Sequence, residues 1–205
     1  MVEQTKAIEI GRLLRASTTS CVVGCRVSQA SVPAFGALVR IPLEDSYQIF
    51  GLIYDIRIED DGLVRQLATA ENIAEDVLLD NRINRNVPVE VCVLHVGYSH
   101  HGGIYHLLPP RPPLSLDALF PCEPEEACGF TGAGRFGYFR HVLRAVDLPV
   151  GELLAAHVKM VGEYHLKYGD CTWNSQAVQE LITLLRDDYP TLMTVLGALS
   201  DTGAW

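Results

Sequence analysis

The chain of 205 residues has no apolar run approaching the ~18 residues that a membrane span requires. Its opening residues, Met1-Val2-Glu3-Gln4-Thr5-Lys6, are not followed by the apolar core of a secretory signal. A cytoplasmic protein with no membrane contact is the expectation. Basic charge is scarce too: 16 Lys and Arg stand against 25 Asp and Glu, a formal net charge of −9. The deficit is shared, with 10 basic and 14 acidic side chains in residues 1–120 and 6 and 11 in residues 121–205. Affinity for phosphate backbones needs a local excess of Lys and Arg, so protein partners are favoured over nucleic acid.

Motifs that carry chemistry are equally sparse. No Gly-x-x-x-x-Gly-Lys-Ser/Thr occurs, which removes the phosphate cradle of a P-loop ATPase. The six cysteines include Cys21 and Cys25, and Cys122 and Cys128, but no Cys-x-x-Cys pair of the kind that builds a zinc site. Most lie in apolar runs such as Ser20-Cys21-Val22-Val23 and read as reduced, small core residues. If Cys21 and Cys25 share a strand, their even separation puts them on one face. Gly132-Ala133-Gly134-Arg135-Phe136-Gly137 has the spacing of a dinucleotide-binding turn. The segment ahead of it, Leu119-Phe120-Pro121-Cys122-Glu123-Pro124, cannot supply the buried parallel strand such a site needs, so an interdomain turn is expected and no cofactor.

What the chain does have is a series of short β segments followed by a change of period. Residues 8–14 and 20–27 read as strands joined by a Ser/Thr turn, followed by strands at 37–41 and 47–58. Gly51, in mid-strand, suggests a bulge of the kind that closes small barrels. Residues 69–79 have helical spacing with Thr69 as a cap. Strands at 89–98 and 104–108 pair across Ser99-His100-His101-Gly102-Gly103, whose histidines read as solvated turn residues. Pro109-Pro110-Arg111-Pro112-Pro113 then fixes φ and removes backbone donors, which ends the β module.

From residue 136 the apolar period is helical. A short helix is expected over 136–146, then one with Leu154, Val158, Val161 and Tyr164 or His165 on a stripe, stopping at Gly169. Val178, Leu181, Ile182 and Leu185 mark the next, capped by Asp170 or Thr172, and a last short helix follows Asp188. The fold class is α+β: a small N-terminal β-barrel of about six strands over 1–113, a linker over 114–135 and a helical domain over 136–205.

Gly11 at the first strand, Gly36-Ala37-Leu38-Val39-Arg40, Phe50-Gly51-Leu52-Ile53 and above all Val96-Gly97-Tyr98 leading to Pro109-Pro110-Arg111-Pro112-Pro113 carry a resemblance. Over residues 8–120 the chain resembles the HAS-barrel, the N-terminal barrel of HerA-type hexameric DNA translocases, itself similar to the N-terminal barrels of ATP synthase α and β subunits. The resemblance implies a barrel that builds the crown of a ring and docks partners. ATP hydrolysis does not carry over without a Walker motif.

A non-catalytic docking or assembly module, self-associating as a dimer or ring, is the functional expectation. Its anchors would be Tyr98, Arg111, Tyr138, Arg140 and Arg144, the residue types that dominate binding hot spots. Arg135, Arg140, His141 and Arg144 beside Tyr138 and Phe139 also permit a nucleic-acid accessory role through stacking and phosphate contact. Arginines on an interface helix, or facing the acidic run Glu123-Pro124-Glu125-Glu126, are the simpler reading. A third alternative is an enzyme whose site joins Glu152, His157, His165 and Cys171 in a cleft between barrel and helices. No metal is expected, since Glu152, His157, Glu163 and His165 lack the Glu-x-x-His spacing of carboxylate-bridged centres.

Overall fold

The structure is a computed structural model that describes residues 8–27, 33–43, 46–58, 62, 69, 74–75, 79 and 87–203. Its strands are β1 (Gly11–Ala16), β2 (Ser20–Val27), β3 (Leu38–Pro42), β4 (Tyr47–Ile58), β5 (Val87–His100), β6 (Gly103–Tyr105) and β7 (Ala118–Pro121). Its helices are α1 (Pro124–Gly132), α2 (Phe139–Leu143), α3 (Val150–Tyr168), α4 (Trp173–Leu184) and α5 (Tyr189–Thr202). The strands run in the order β2-β1-β7-β3-β4-β5, and β5 pairs back onto β2, so six antiparallel strands close a barrel. Closure removes the open sheet edges that would otherwise invite strand pairing between molecules. Of the expected helix at 69–79, Thr69, Glu75 and Leu79 are helical, Ala74 is not, and the other residues lie outside the described ones.

One strand of the ring differs from the sequence expectation. The segment expected to be a strand at 104–108 shortens to β6, which pairs with β5 alone and stays outside the ring. The sixth place goes to β7, inside the segment read as linker. The prolines do stop the ladder, but the chain then returns across the barrel. There Gly11 pairs with Leu119 and Val39 pairs with Pro121. Leu119 is fully buried in the barrel interior. The same segment continues into α1, with Pro124 in the first turn, where a missing N–H costs nothing.

The barrel interior holds Leu13, Cys21, Val23, Val39, Ile41, Ile49, Ile53, Val89, Val91, Val93 and Leu119, with Cys25 packed against it. Cys21 and Cys25 therefore do share the inner face. Burial pushes the Cys21 thiol up to about 12, with Cys92 nearby adding to the shift, which keeps it protonated and unreactive. On the outer face of β3, β4 and β5, Leu38, Phe50, Leu52, Leu94 and Val96 are buried as well, against the helices. Strands covered on both faces read as near-continuous apolar runs, as Val89 to Val96 does, whereas β1 leaves Leu14 and most other outward side chains exposed. The register of β4 on β5 shifts between Phe50 and Gly51. A Cβ on Gly51 would stand 2.3 Å from Val93 Cγ1, so the bulge needs glycine.

The helical domain is seated on this wall at one notch. Gly97 has no side chain, and the Phe130 ring of α1 fills the space: a Cβ there would lie 2.8 Å from Phe130 Cζ and 2.7 Å from the Tyr105 carbonyl oxygen. Phe130 is fully buried and stacks on Phe50 with ring centroids 4.3 Å apart. Beside it Arg40 of β3 pairs with Glu126 of α1 at 2.8 Å, and Gln48 Nε2 donates to the same carboxylate at 2.8 Å. The acidic run thus meets a barrel arginine rather than the arginines after residue 134. The short helix expected over 136–146 is interrupted, because Arg135 and Phe136 take φ of 48° and 56°, and only the five residues of α2 follow. Of the stripes expected on α3 and α4, Leu154, Val158, Val161, His165, Val178 and Leu181 are buried and Tyr164 and Ile182 half-buried, and Asp188 Oδ1 accepts from the Thr191 N–H to cap α5.

Truncating a fully buried aromatic in such a notch typically costs about 3 to 5 kcal/mol. Phe130→Ala is expected to lower the unfolding free energy of the whole molecule by that much in urea titrations, with barrel and helix signals moving together. Gly97→Val should act in the same direction.

Candidate functional site

Exposed apolar side chains flank the proline run on both sides. Tyr105, Leu107, Leu108, Leu114 and Leu116 are all open to solvent, with Leu114 72% and Leu116 70% exposed. The turn carrying the last two is fastened on several sides. Asp117 Oδ2 accepts from the Leu114 N–H at 2.7 Å, the Leu116 N–H donates to the Leu13 carbonyl at 2.9 Å, and Arg12 Nη1 donates to the Leu116 carbonyl at 3.1 Å. Leu116 itself is held at a φ of 71°, a conformation that L-residues with large side chains rarely adopt. Pro109 and Pro113 are buried while Pro110, Arg111 and Pro112 stand out, so this run is a stiff strap anchored at its ends. Leu14 of β1 is also exposed, one residue after the Leu13 that holds the turn.

The five expected anchors go to different places. Tyr98 is half-buried between Tyr47 and Tyr105, with centroids 5.4 and 5.1 Å away. The neighbouring His100 and His101 are exposed at the hairpin tip, as expected of turn residues. Arg111 is exposed on the strap. Tyr138 is completely buried, its hydroxyl donating to His157 Nε2 at 2.9 Å. Arg140 turns inward to the His106 carbonyl, which also accepts from His141 Nε2 at 3.2 Å. Arg144 is exposed. Tyr138 and Phe139 are both fully buried, so neither offers a face on which a base could stack.

Four buried histidines fasten separate elements together. Each faces an acceptor that fixes its tautomer. The carbonyl of Gly36 can only accept, so His157 Nδ1 donates to it at 3.2 Å and leaves Nε2 for Tyr138. Thr131 Oγ1 donates to the Ala127 carbonyl at 2.7 Å, so it accepts from His165 Nε2 at 2.9 Å. His165 Nδ1 then receives the Asp170 N–H at 3.3 Å, and its ring lies flat on Trp173 at 4.7 Å. His106 Nε2 donates to the Phe130 carbonyl at 3.0 Å, and His95 Nδ1 to the Thr18 carbonyl at 3.2 Å. Desolvation lowers all four, taking His95 and His157 to about 4.

The four residues of the enzyme alternative are not assembled. His157 and His165 serve the contacts just described, Glu152 is exposed beside Phe35 and Met193, and Cys171 is exposed. Among the described residues no three His, Cys, Asp or Glu side chains converge as a metal site, and no helix is long and apolar enough to cross a membrane. The Gly132–Gly137 segment lines a cavity of about 620 Å³ with His165, Asp170 and Trp173. Sequence reasoning missed Leu114, Leu116 and His95. The alternating Leu114-Ser115-Leu116-Asp117 was the available signal for the first two.

These observations define the class: a closed six-stranded antiparallel barrel with a helical domain packed on one wall. No protein-family model matches the chain, and no curated protein matches it.

The histidines set a pH dependence. Because their folded-state values lie below the usual 6.5, the native state resists protonation. The stability they allow is complete above pH 6.5 and is lost as pH falls toward 4, by about 3 kcal/mol each for His95 and His157. Urea midpoints should fall steadily between pH 7 and 4, and NMR titration of the histidine rings should leave these two neutral at pH 5.5.

Proposed function

We propose that this protein is an assembly module: a HAS-like barrel, stiffened by its helical domain, that docks on further copies of itself as a dimer or ring through the strap and the 114–117 turn. The observation that carries the reading is the pair Leu114 and Leu116, exposed yet rigidly presented. Three hydrogen bonds hold the turn, and keeping Leu116 at positive φ costs about 1 kcal/mol or more of backbone strain. Both leucines are left largely exposed within the monomer, whereas covering each at an interface contributes about 1.5 to 3 kcal/mol. The prolines add pre-organisation, since a strap already rigid loses little entropy on docking. Arg111, exposed among the prolines, and Tyr98 with Tyr105 are of the types that anchor such contacts.

Size-exclusion chromatography with light scattering tests this. The wild type is expected to be a dimer or larger at micromolar concentration, and Leu114→Glu with Leu116→Glu to be monomeric with an unchanged far-UV circular dichroism spectrum. A wild type that is strictly monomeric removes the proposal.

A further inference from the structure

Between the barrel wall and the loop that joins α2 to α3 lies a cleft of about 440 Å³. It has an apolar body of Leu94, Leu108 and Leu148, its polar lining includes His95, His141 and Arg144, and no carboxylate lines it. In a chain with a formal charge of −9, an acid-free cleft holding an arginine is a local attractor for anions. Among the described residues Arg144 enters no salt bridge. Its positive charge, with that of Arg140, helps hold His141 neutral after desolvation, the larger cause. His95 is completely buried, and while its Nδ1 is satisfied by Thr18, its Nε2 has no hydrogen-bond partner. Folded proteins seldom leave a buried acceptor unpaired, and one in the lining of a cleft is a natural place for a ligand's donor.

We propose that this cleft binds a small amphipathic anion, with an apolar ring or chain against Leu94, Leu108 and Leu148, an anionic group on Arg144, and an N–H or O–H donating to His95 Nε2. The occupant would touch both the barrel, through β5, and the helical domain, through the α2–α3 loop, and so would bridge them. The inference does not rest on the docking reading, because Leu114 and Leu116 do not line the cleft.

Anilinonaphthalene sulfonate carries all three features: an anion, fused rings and one N–H. Titration of the full chain with this dye, followed by fluorescence, is expected to saturate at one molecule per chain. Arg144→Glu and Val146→Trp, both at exposed positions of the cleft, should each weaken binding by about tenfold or more. The N-methylated dye, which lacks the donor, should bind the wild type roughly fivefold more weakly. Leu116→Glu should leave the titration unchanged. Absence of saturable binding, equal binding by Arg144→Glu and Val146→Trp, equal binding of the N-methylated dye, or loss of binding in Leu116→Glu would each overturn the proposal.

Discussion

The seating of Phe130 over Gly97 is the contact on which the rest of the structure depends. It needs two things at once: a strand residue with no side chain, and an aromatic at one position of a nine-residue helix that has little amphipathic character of its own. A helix that short is marginal in isolation and owes its stability to what it packs on. With the ring in place, α1 brings Glu126 to Arg40 and Thr131 to His165 and Trp173, and α3 follows through His165. The helical domain is thereby a buttress on the barrel wall, and the outer faces of β3, β4 and β5 become core.

The buried histidines extend the same logic. A neutral imidazole can donate at one nitrogen and accept at the other, so one side chain can satisfy a carbonyl on a distant loop while packing against aromatics. His157 ties α3 to the Gly36 loop of the barrel, His95 ties β5 to the β1–β2 turn, and His106 ties the end of β6 to α1. The His157 and His106 joints run across the boundary between barrel and helices, so the two parts are linked by hydrogen bonds as well as by apolar burial. The turn that carries Leu114 and Leu116 is held separately, by Asp117, Leu13 and Arg12.

Much of this was legible from the residues. The limits of β4 were readable because apolar and charged residues alternate at its end and Gly51 marks the bend, and α3 was readable because its stripe runs to a glycine stop. What failed was short or context-dependent. β7 is four residues between prolines and glutamates, and its partners are more than 75 residues away in sequence. α1 has a weak stripe because its one large anchor meets a notch made by another strand. Tyr138 and Arg140 have the composition of a binding surface, yet both are spent internally, on His157 and on the His106 carbonyl. A linear pattern cannot tell an aromatic that is exposed from one buried by a later helix. His95 was hidden for the converse reason: it sits within an apolar strand, and its orphan nitrogen becomes visible only when the cleft is assembled.

Barrel and helices share one apolar core and are therefore expected to unfold as one cooperative body. Native-state hydrogen exchange across a denaturant series tests that most directly, because it reads the opening free energy of each element separately. The slowest amides of β4, β5 and α3 are expected to converge on a single opening free energy equal to that of global unfolding. Opening of α3 at a markedly lower free energy, with the barrel amides still protected, would contradict a shared cooperative core.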